Sequence, residues 1–294
     1  MNTTADSALN RAVERYYDTT VDLYENMWGE HVHHGYWNPG ESPAANGADR
    51  HEATDRLVHK LAEFGPVPAG ARVLDIGCGI GGPALYLVGE LHCTLDGITL
   101  SAAQAGRAQE KANRRGLGDR ARFHRADALA TGYPDASYEV IWALESLMHL
   151  PDRAAFFAES MRLLRPGGTL VVGTWASRDG ALSADDEQVL RLILKHQVMP
   201  DFSSLAEHEA LCLAAGFTDV RVADWSAAVA GSWDPGFAQT PPVERGNASM
   251  MDLARTHGVD VLGFFYAGPL MKKAYDTGAM RYGVLRATKP EGTP

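Results

Sequence analysis

The 294-residue sequence has little cysteine, no long apolar run and no surplus of positive charge, and each shortage removes a class of protein. Cys78, Cys93 and Cys212 are odd in number and far apart, without the paired spacing of a zinc site or a disulfide framework. They read as reduced, buried thiols. No run of about eighteen apolar residues occurs. The first residues carry no basic stretch followed by an apolar one, so neither a membrane span nor a secretory leader is expected and the chain is placed in the cytoplasm. Lysine and arginine total 27 against 37 acidic residues, a formal net charge of -10 that opposes encounter with nucleic acid or an anionic membrane. The expected partner is therefore a small molecule, with homo-oligomerisation left open. No internal repeat and no low-complexity tract appears.

What the sequence does have is an alternation of short apolar runs with helical patterns. Apolar residues at steps of three and four from Asp6 to Met27, among them Tyr16 packing inward, predict an amphipathic helix. A loop rich in histidine and aromatics follows, His31 to Trp37, and then a second helix near Asp49 to Phe64. From Arg72 the rhythm is β-α. Strands are predicted at 72–76, 93–98, 121–125, 138–143, 168–175, 218–226 and 281–287, with helices at 82–91, 101–115, 152–164, 183–195 and 205–215. Ser101 and Gln104 are spaced as a capping box. The fold class expected is α/β: a Rossmann-like, mostly parallel seven-stranded sheet with helices on both faces. An N-terminal helical lid over residues 1–65 precedes a core over 66–180, and 181–290 completes the sheet with a helical cap inserted before the last strand.

The glycine-rich run from Asp75 to Gly82 falls between a strand and a helix, where bare backbone turns tightly and lets a ligand approach. Gly77, Gly79 and Gly82 satisfy the dinucleotide spacing, so a nicotinamide-dependent oxidoreductase is one reading. Two features oppose it. Asp75, two residues ahead of Gly77, sets an anion where a pyrophosphate would lie and suits the ammonium of a methionine moiety. The second strand also ends in Gly97-Ile98-Thr99-Leu100-Ser101, without the acid that such an enzyme uses on its ribose.

The string from Val73 to Gly82, followed by Gly97 to Gln104, resembles the first motifs of class I S-adenosylmethionine-dependent methyltransferases. The branch it resembles holds tocopherol and sugar methyltransferases, cyclopropane fatty acid synthases and geranyl diphosphate C-methyltransferases. The resemblance covers roughly Tyr16 to Trp175, with an echo over Tyr275 to Ala287. It implies S-adenosyl-L-methionine as cofactor, with Thr99, Leu100 and Gln104 at its ribose and Asp127 at its adenine amino group. Ala128 and Leu144 are assigned to the same site, and Tyr17 and His33 match lid positions that touch the cofactor in relatives. Gln104 also has a plain reading as a helix cap, and Asp127 as a solvated loop acid.

Methyl transfer from a sulfonium needs positioning and desolvation, plus a base when the acceptor carries a proton. Glu145 and His149 leave the carboxyl end of the fourth strand, where ligands of open α/β sheets collect, and both are base candidates. In an apolar pocket Glu145 is expected to have a raised pKa. The resemblance aligns His149 with the histidine of a Glu-His-Met-Pro-Asp-like segment, but Met148 stands in place of the glutamate. The acceptor is assigned Trp28, His34, Tyr36 and Trp175, with Phe265 and Tyr266 from the cap. Three histidines in four positions raise a metal site, but without a Cys/His pair elsewhere no metal is expected. The function expected is methylation of C, O or N on an apolar small molecule of specialised metabolism. The rival from another class is a cofactor-binding protein without transfer, a scaffold or a cyclase.

Overall fold

Alternate residues of the central strands go to opposite faces, and the core is accordingly split into two layers. Val73, Trp142 and Val171 join one buried cluster, while Leu74, Ile76, Ile141, Ala143, Leu170 and Val172 join the other. The computed structural model describes residues 8–43, 49–234 and 261–292. Its seven strands are β1 (Arg72–Ile76), β2 (Thr94–Thr99), β3 (Ala121–Arg125), β4 (Tyr138–Leu144), β5 (Leu164–Ser177), β6 (Thr218–Asp224) and β7 (Met280–Thr288). They run in the order β3-β2-β1-β4-β5-β7-β6, with β7 antiparallel to both neighbours and the others parallel. The chain therefore steps outward from β1 to β3, returns beside β1 as β4, and steps outward the other way. That reversal opens a crevice at the carboxyl ends of β1 and β4.

Besides the single helical turn Ser226–Val229, the α-helices among the described residues are α1 (Ala8–Trp28), α2 (Arg50–Phe64), α3 (Gly82–Glu90), α4 (Ala102–Arg114), α5 (Arg153–Leu163), α6 (Ala184–His196), α7 (Leu205–Ala214) and α8 (Val261–Asp276). Side-chain oxygens of Asp49, Ser101, Asp152, Ser183 and Ser204 cap the helices that follow them, each taking a backbone N–H that the helix leaves without a partner. The expected capping box at α4 is only half formed. Gln104 N–H donates to Ser101 Oγ at 3.0 Å, but Thr99 Oγ1 takes the Ser101 N–H and donates to Gln104 Oε1 at 2.9 Å, so the glutamine faces the crevice instead. β5 begins ahead of the strand predicted at 168–175, and residues 165–168 lie inside it as a break in register, with Tyr138 opposite Leu164 and Val140 opposite Thr169. The first part of the expected cap, 242–260, lies outside the described residues, as do the side chains of Phe265 and Tyr266. No helix among the described residues is long and apolar enough to cross a membrane.

α1 is laid along α4 by a seam of charge that its apolar pattern did not announce. Glu14 pairs with Arg125, Asp22 and Glu25 with Arg107, Glu25 with Lys111, and Glu30 with Arg115, while Asp18 accepts from Ser101 Oγ and the Ala103 N–H. The helix acids recur every three or four residues and so share one face. Most of these groups are partly exposed, where a pair is worth about 1 kcal/mol or less, so the seam fixes the register of α1 more than it stabilises the fold.

Candidate active site

The crevice is a cleft of about 910 Å³, counted with its open mouth, roofed by α1 and the loop after it. Three glycines shape it for different reasons. At Gly77, where φ is +82°, a Cβ would collide with Ser146, and at Gly82 it would collide with the Glu30 carbonyl of the roof. At Gly79, with φ +52°, a Cβ would meet only Gln104 Nε2 at 4.0 Å. Gly79 therefore leaves room for a ligand and not for protein. Thr99, Leu100 and Gln104 close one side at the end of β2, and Asp127 and Ala128 line it after β3. Leu144, Glu145 and His149 line it after β4, with Tyr17 and His33 above.

Asp75 is one residue behind this wall, 2% exposed, with Oδ2 lacking any hydrogen-bond partner. Burial alone raises its pKa to about 8. An unpaired buried carboxyl behind a bare glycine turn is the kind of feature a cationic ligand group completes. Asp127 accepts from the Leu129 N–H at 2.9 Å and from Asn10 Nδ2, on the roof helix, at 3.1 Å. It is thus an ordered, buried acid and not a solvated one.

Glu145 departs from expectation. Its backbone is left-handed, φ +51°, and its carboxylate accepts from the His34 N–H at 2.9 Å, His34 Nδ1 at 3.0 Å, Trp175 Nε1 at 3.0 Å and Tyr282 Oη at 3.0 Å. Burial pushes its pKa up, but the pull of His34 outweighs it, and the net shift is downward. The expected rise is therefore wrong, because an apolar pocket was assumed where four donors converge. The tautomer of His34 follows from its other nitrogen. Nε2 accepts from Trp233 Nε1–H at 2.6 Å, so Nδ1 carries the proton given to Glu145.

His149 is differently placed. Nδ1 faces the Val198 carbonyl at 3.4 Å and must donate, which leaves Nε2 to accept from the Tyr17 hydroxyl at 2.8 Å. Burial lowers its pKa to about 4 and that of His33 to about 3, and raises the Tyr17 phenol. Its Nε2 lone pair therefore stays unprotonated across the physiological range and is held on the Tyr17 hydroxyl at the cleft wall.

Four acceptor assignments do not reach the cleft wall. Trp28 packs edge-on against Trp233 and Tyr36 against Trp225, while His34 and Trp175 are spent on Glu145. Among the described residues no three His, Cys, Asp or Glu side chains converge as a metal site, and His31 and His33 bond to each other at 3.0 Å. Sequence reasoning missed Asn10, Tyr282 and Trp233, whose side chains bond to Asp127, Glu145 and His34, each more than a hundred residues away. Cys78, read as a reduced, buried thiol, lines the cleft, and burial holds its pKa well above the ordinary value.

A seven-stranded sheet in this order, with a glycine turn at its switch point, is the arrangement expected of a class I S-adenosylmethionine-dependent methyltransferase. Residues 74–172 match the methyltransferase domain family. The chain is 32% identical to a probable chloroplastic tocopherol O-methyltransferase of Oryza sativa subsp. japonica, over 97% of this chain and 80% of that one. It is 40% identical to 27-O-demethylrifamycin SV methyltransferase of Amycolatopsis mediterranei (strain S699), over 74% and 77%. Among solved structures it is similar to the [4+2]-cyclase SpnF, with a TM-score of 0.79 and 29% identity over 97% of this chain and 98% of that one. The chain belongs to the S-adenosylmethionine-dependent methyltransferase family, in the branch with the tocopherol enzymes. It is an enzyme that methylates small molecules with that cofactor.

The hydrogen bonds of Glu145 predict a structural penalty. Removing the carboxylate strands four buried donors, so Glu145→Ala is expected to lower the unfolding free energy by about 3–5 kcal/mol in urea denaturation. A loss below about 1 kcal/mol contradicts the donor count.

Proposed function

We propose that the enzyme transfers methyl to a hydroxyl of a neutral, apolar molecule of specialised metabolism, with His149 as base acting through Tyr17. The observation that carries this is the neutral His149 Nε2 bonded to the Tyr17 hydroxyl in a cleft wall that holds no lysine or arginine among the described residues. A phosphorylated acceptor would lack a counter-ion there. When bound, the cofactor supplies an electrophilic methyl group on a sulfonium. Asp75 would hold its ammonium past Gly77 and Gly79, Thr99, Leu100 and Gln104 its ribose, and Asp127 with Ala128 its adenine. Tyr17, His33 and Leu144 would close over it.

The acceptor hydroxyl proton passes to Tyr17 Oη as the Tyr17 proton passes to His149 Nε2. The phenol stays neutral throughout, as its burial requires. His149 is left as the imidazolium, its Nδ1–H still on Val198. The relatives named for a tocopherol and a rifamycin acceptor support the apolar class. Cytoplasmic residence is proposed on the three buried free thiols. A second reading, cofactor binding without transfer, is favoured by the 29% identity to a cyclase.

Assay of a panel of neutral phenols and macrocyclic alcohols against geranyl diphosphate and phosphoethanolamine is expected to give methyl ethers from the neutral class alone. The kcat/KM for the acceptor should fall only as pH drops toward about 4, and His149→Gln should cut kcat by about a hundredfold. Phosphorylated products sink the acceptor class, and cofactor binding without any methylated product favours the second reading.

The raised pKa of Asp75 gives a separate test. At pH 7 the folded protein holds that carboxyl protonated, and an arriving ammonium favours its ionised form. Titration with S-adenosylhomocysteine in two buffers of different ionisation enthalpy is expected to show release of about one proton per ligand, and none in Asp75→Asn. Equal heats in both buffers for the wild type would remove Asp75 from the ammonium site.

A further inference from the structure

The turn that holds His149 by Nδ1 is itself strained and clamped. Val198, a β-branched residue, sits in the left-handed region at φ +53°, a conformation that costs on the order of 1–3 kcal/mol unless its surroundings impose it. On one side the turn is closed by N–H bonds from Gln197 to Ile193 and from Met199 to Leu194, each 2.9 Å. On the other, Arg153 reaches across from the first turn of α5, with Nη1 on Asp201 Oδ1 and Nη2 on the Asp201 backbone carbonyl at 3.0 Å.

Arg153 is poorly placed to serve stability. It is buried, its Nε has no hydrogen-bond partner, and its charge stands at the positive end of the α5 dipole. A buried guanidinium bought at these three costs needs a reason other than the ion pair, whose carboxylate is 60% exposed. Position supplies the reason. Arg153 follows His149 by four residues across Leu150-Pro151-Asp152, so the short segment 149–153 grips one turn at two points, His149 on the Val198 carbonyl and Arg153 on Asp201.

We propose that Arg153 is a positioning residue for the proton transfer: it clamps the 198–201 turn so that the Val198 carbonyl stays on His149 Nδ1 and the Nε2 lone pair stays aimed at Tyr17. The inference rests on His149 as the proton acceptor. Without the clamp the Val198 strain relaxes, the carbonyl leaves Nδ1, and the imidazole proton redistributes between the two nitrogens. The groups facing the ring from other elements are the Tyr17 phenol and the Glu145 carboxylate, and neither replaces the lost acceptor at Nδ1.

The test is nitrogen-15 spectroscopy of histidine-labelled protein, with His149→Gln assigning the resonance. Wild type is expected to show the Nδ1–H tautomer alone. In Arg153→Ala and, more weakly, in Asp201→Ala, the Nε2–H form should appear, with kcat reduced by about tenfold and the dissociation constant for S-adenosylhomocysteine within about twofold. Arg153→Lys, which cannot span both oxygens, should fall between. If Arg153→Ala does not fold, Asp201→Ala at its exposed position carries the comparison. An unchanged His149 signature in a folded variant overturns the clamp. A changed tautomer with unaltered turnover leaves the clamp in place but removes His149 as base, which separates this inference from the reading it rests on.

Discussion

The carboxylate of Glu145 ties the N-terminal loop to the sheet. A buried carboxylate costs several kcal/mol of lost hydration, and only a full set of donors offsets it. Those donors come from the loop at His34, from β5 at Trp175 and from β7 at Tyr282, and His34 is fixed in turn by Trp233. No segment can leave without stranding the charge, so the roof, the acceptor end of the cleft and the antiparallel edge of the sheet are ordered as one unit. The left-handed backbone at Glu145 is the local cost of aiming the side chain at that junction.

Glu145 also shows how one cleft gives its ionisable groups separate tasks. Asp75 has burial and no donor, and its pKa rises to about 8; Glu145 has burial and four donors, and its pKa falls. His149 has burial and one carbonyl, and stays neutral down to about pH 4. The same desolvation acts on all three, and the neighbours decide the outcome, for Glu145 the charge interaction and hydrogen bonds of His34 together with His33. Hence a carboxyl without a partner, a carboxylate with a full set of donors and a neutral imidazole occur in one region of the fold.

The strands were legible because apolar runs bounded by glycine and proline leave few alternatives: β1 and β3 fall at the expected residues, and the others differ at their ends. The cleft was legible because most of the residues that line it lie on consecutive β-α turns, so local sequence order maps onto spatial order. The surroundings of Glu145 were not. Trp28, His34, Tyr36 and Trp175 look like an aromatic lining from composition, but whether an indole N–H faces a ligand or a carboxylate depends on partners such as Tyr282 and Trp233, which no local pattern connects to them. The direction of the Glu145 shift was misjudged for the same reason. The charged seam between α1 and α4 had a local signal in the spacing of Glu14, Asp18, Asp22 and Glu25, but only the packing supplies its basic partners.

The proposed division of labour leaves Glu145 structural and gives the acceptor proton to the Tyr17–His149 pair. A crystal structure of the enzyme with S-adenosylhomocysteine and a neutral hydroxylated acceptor tests it most directly. The acceptor oxygen is expected within about 2.6–3.2 Å of Tyr17 Oη, with Glu145 still bonded to His34. An acceptor oxygen bound to Glu145, with His34 displaced and the Tyr17–His149 contact intact, would contradict it.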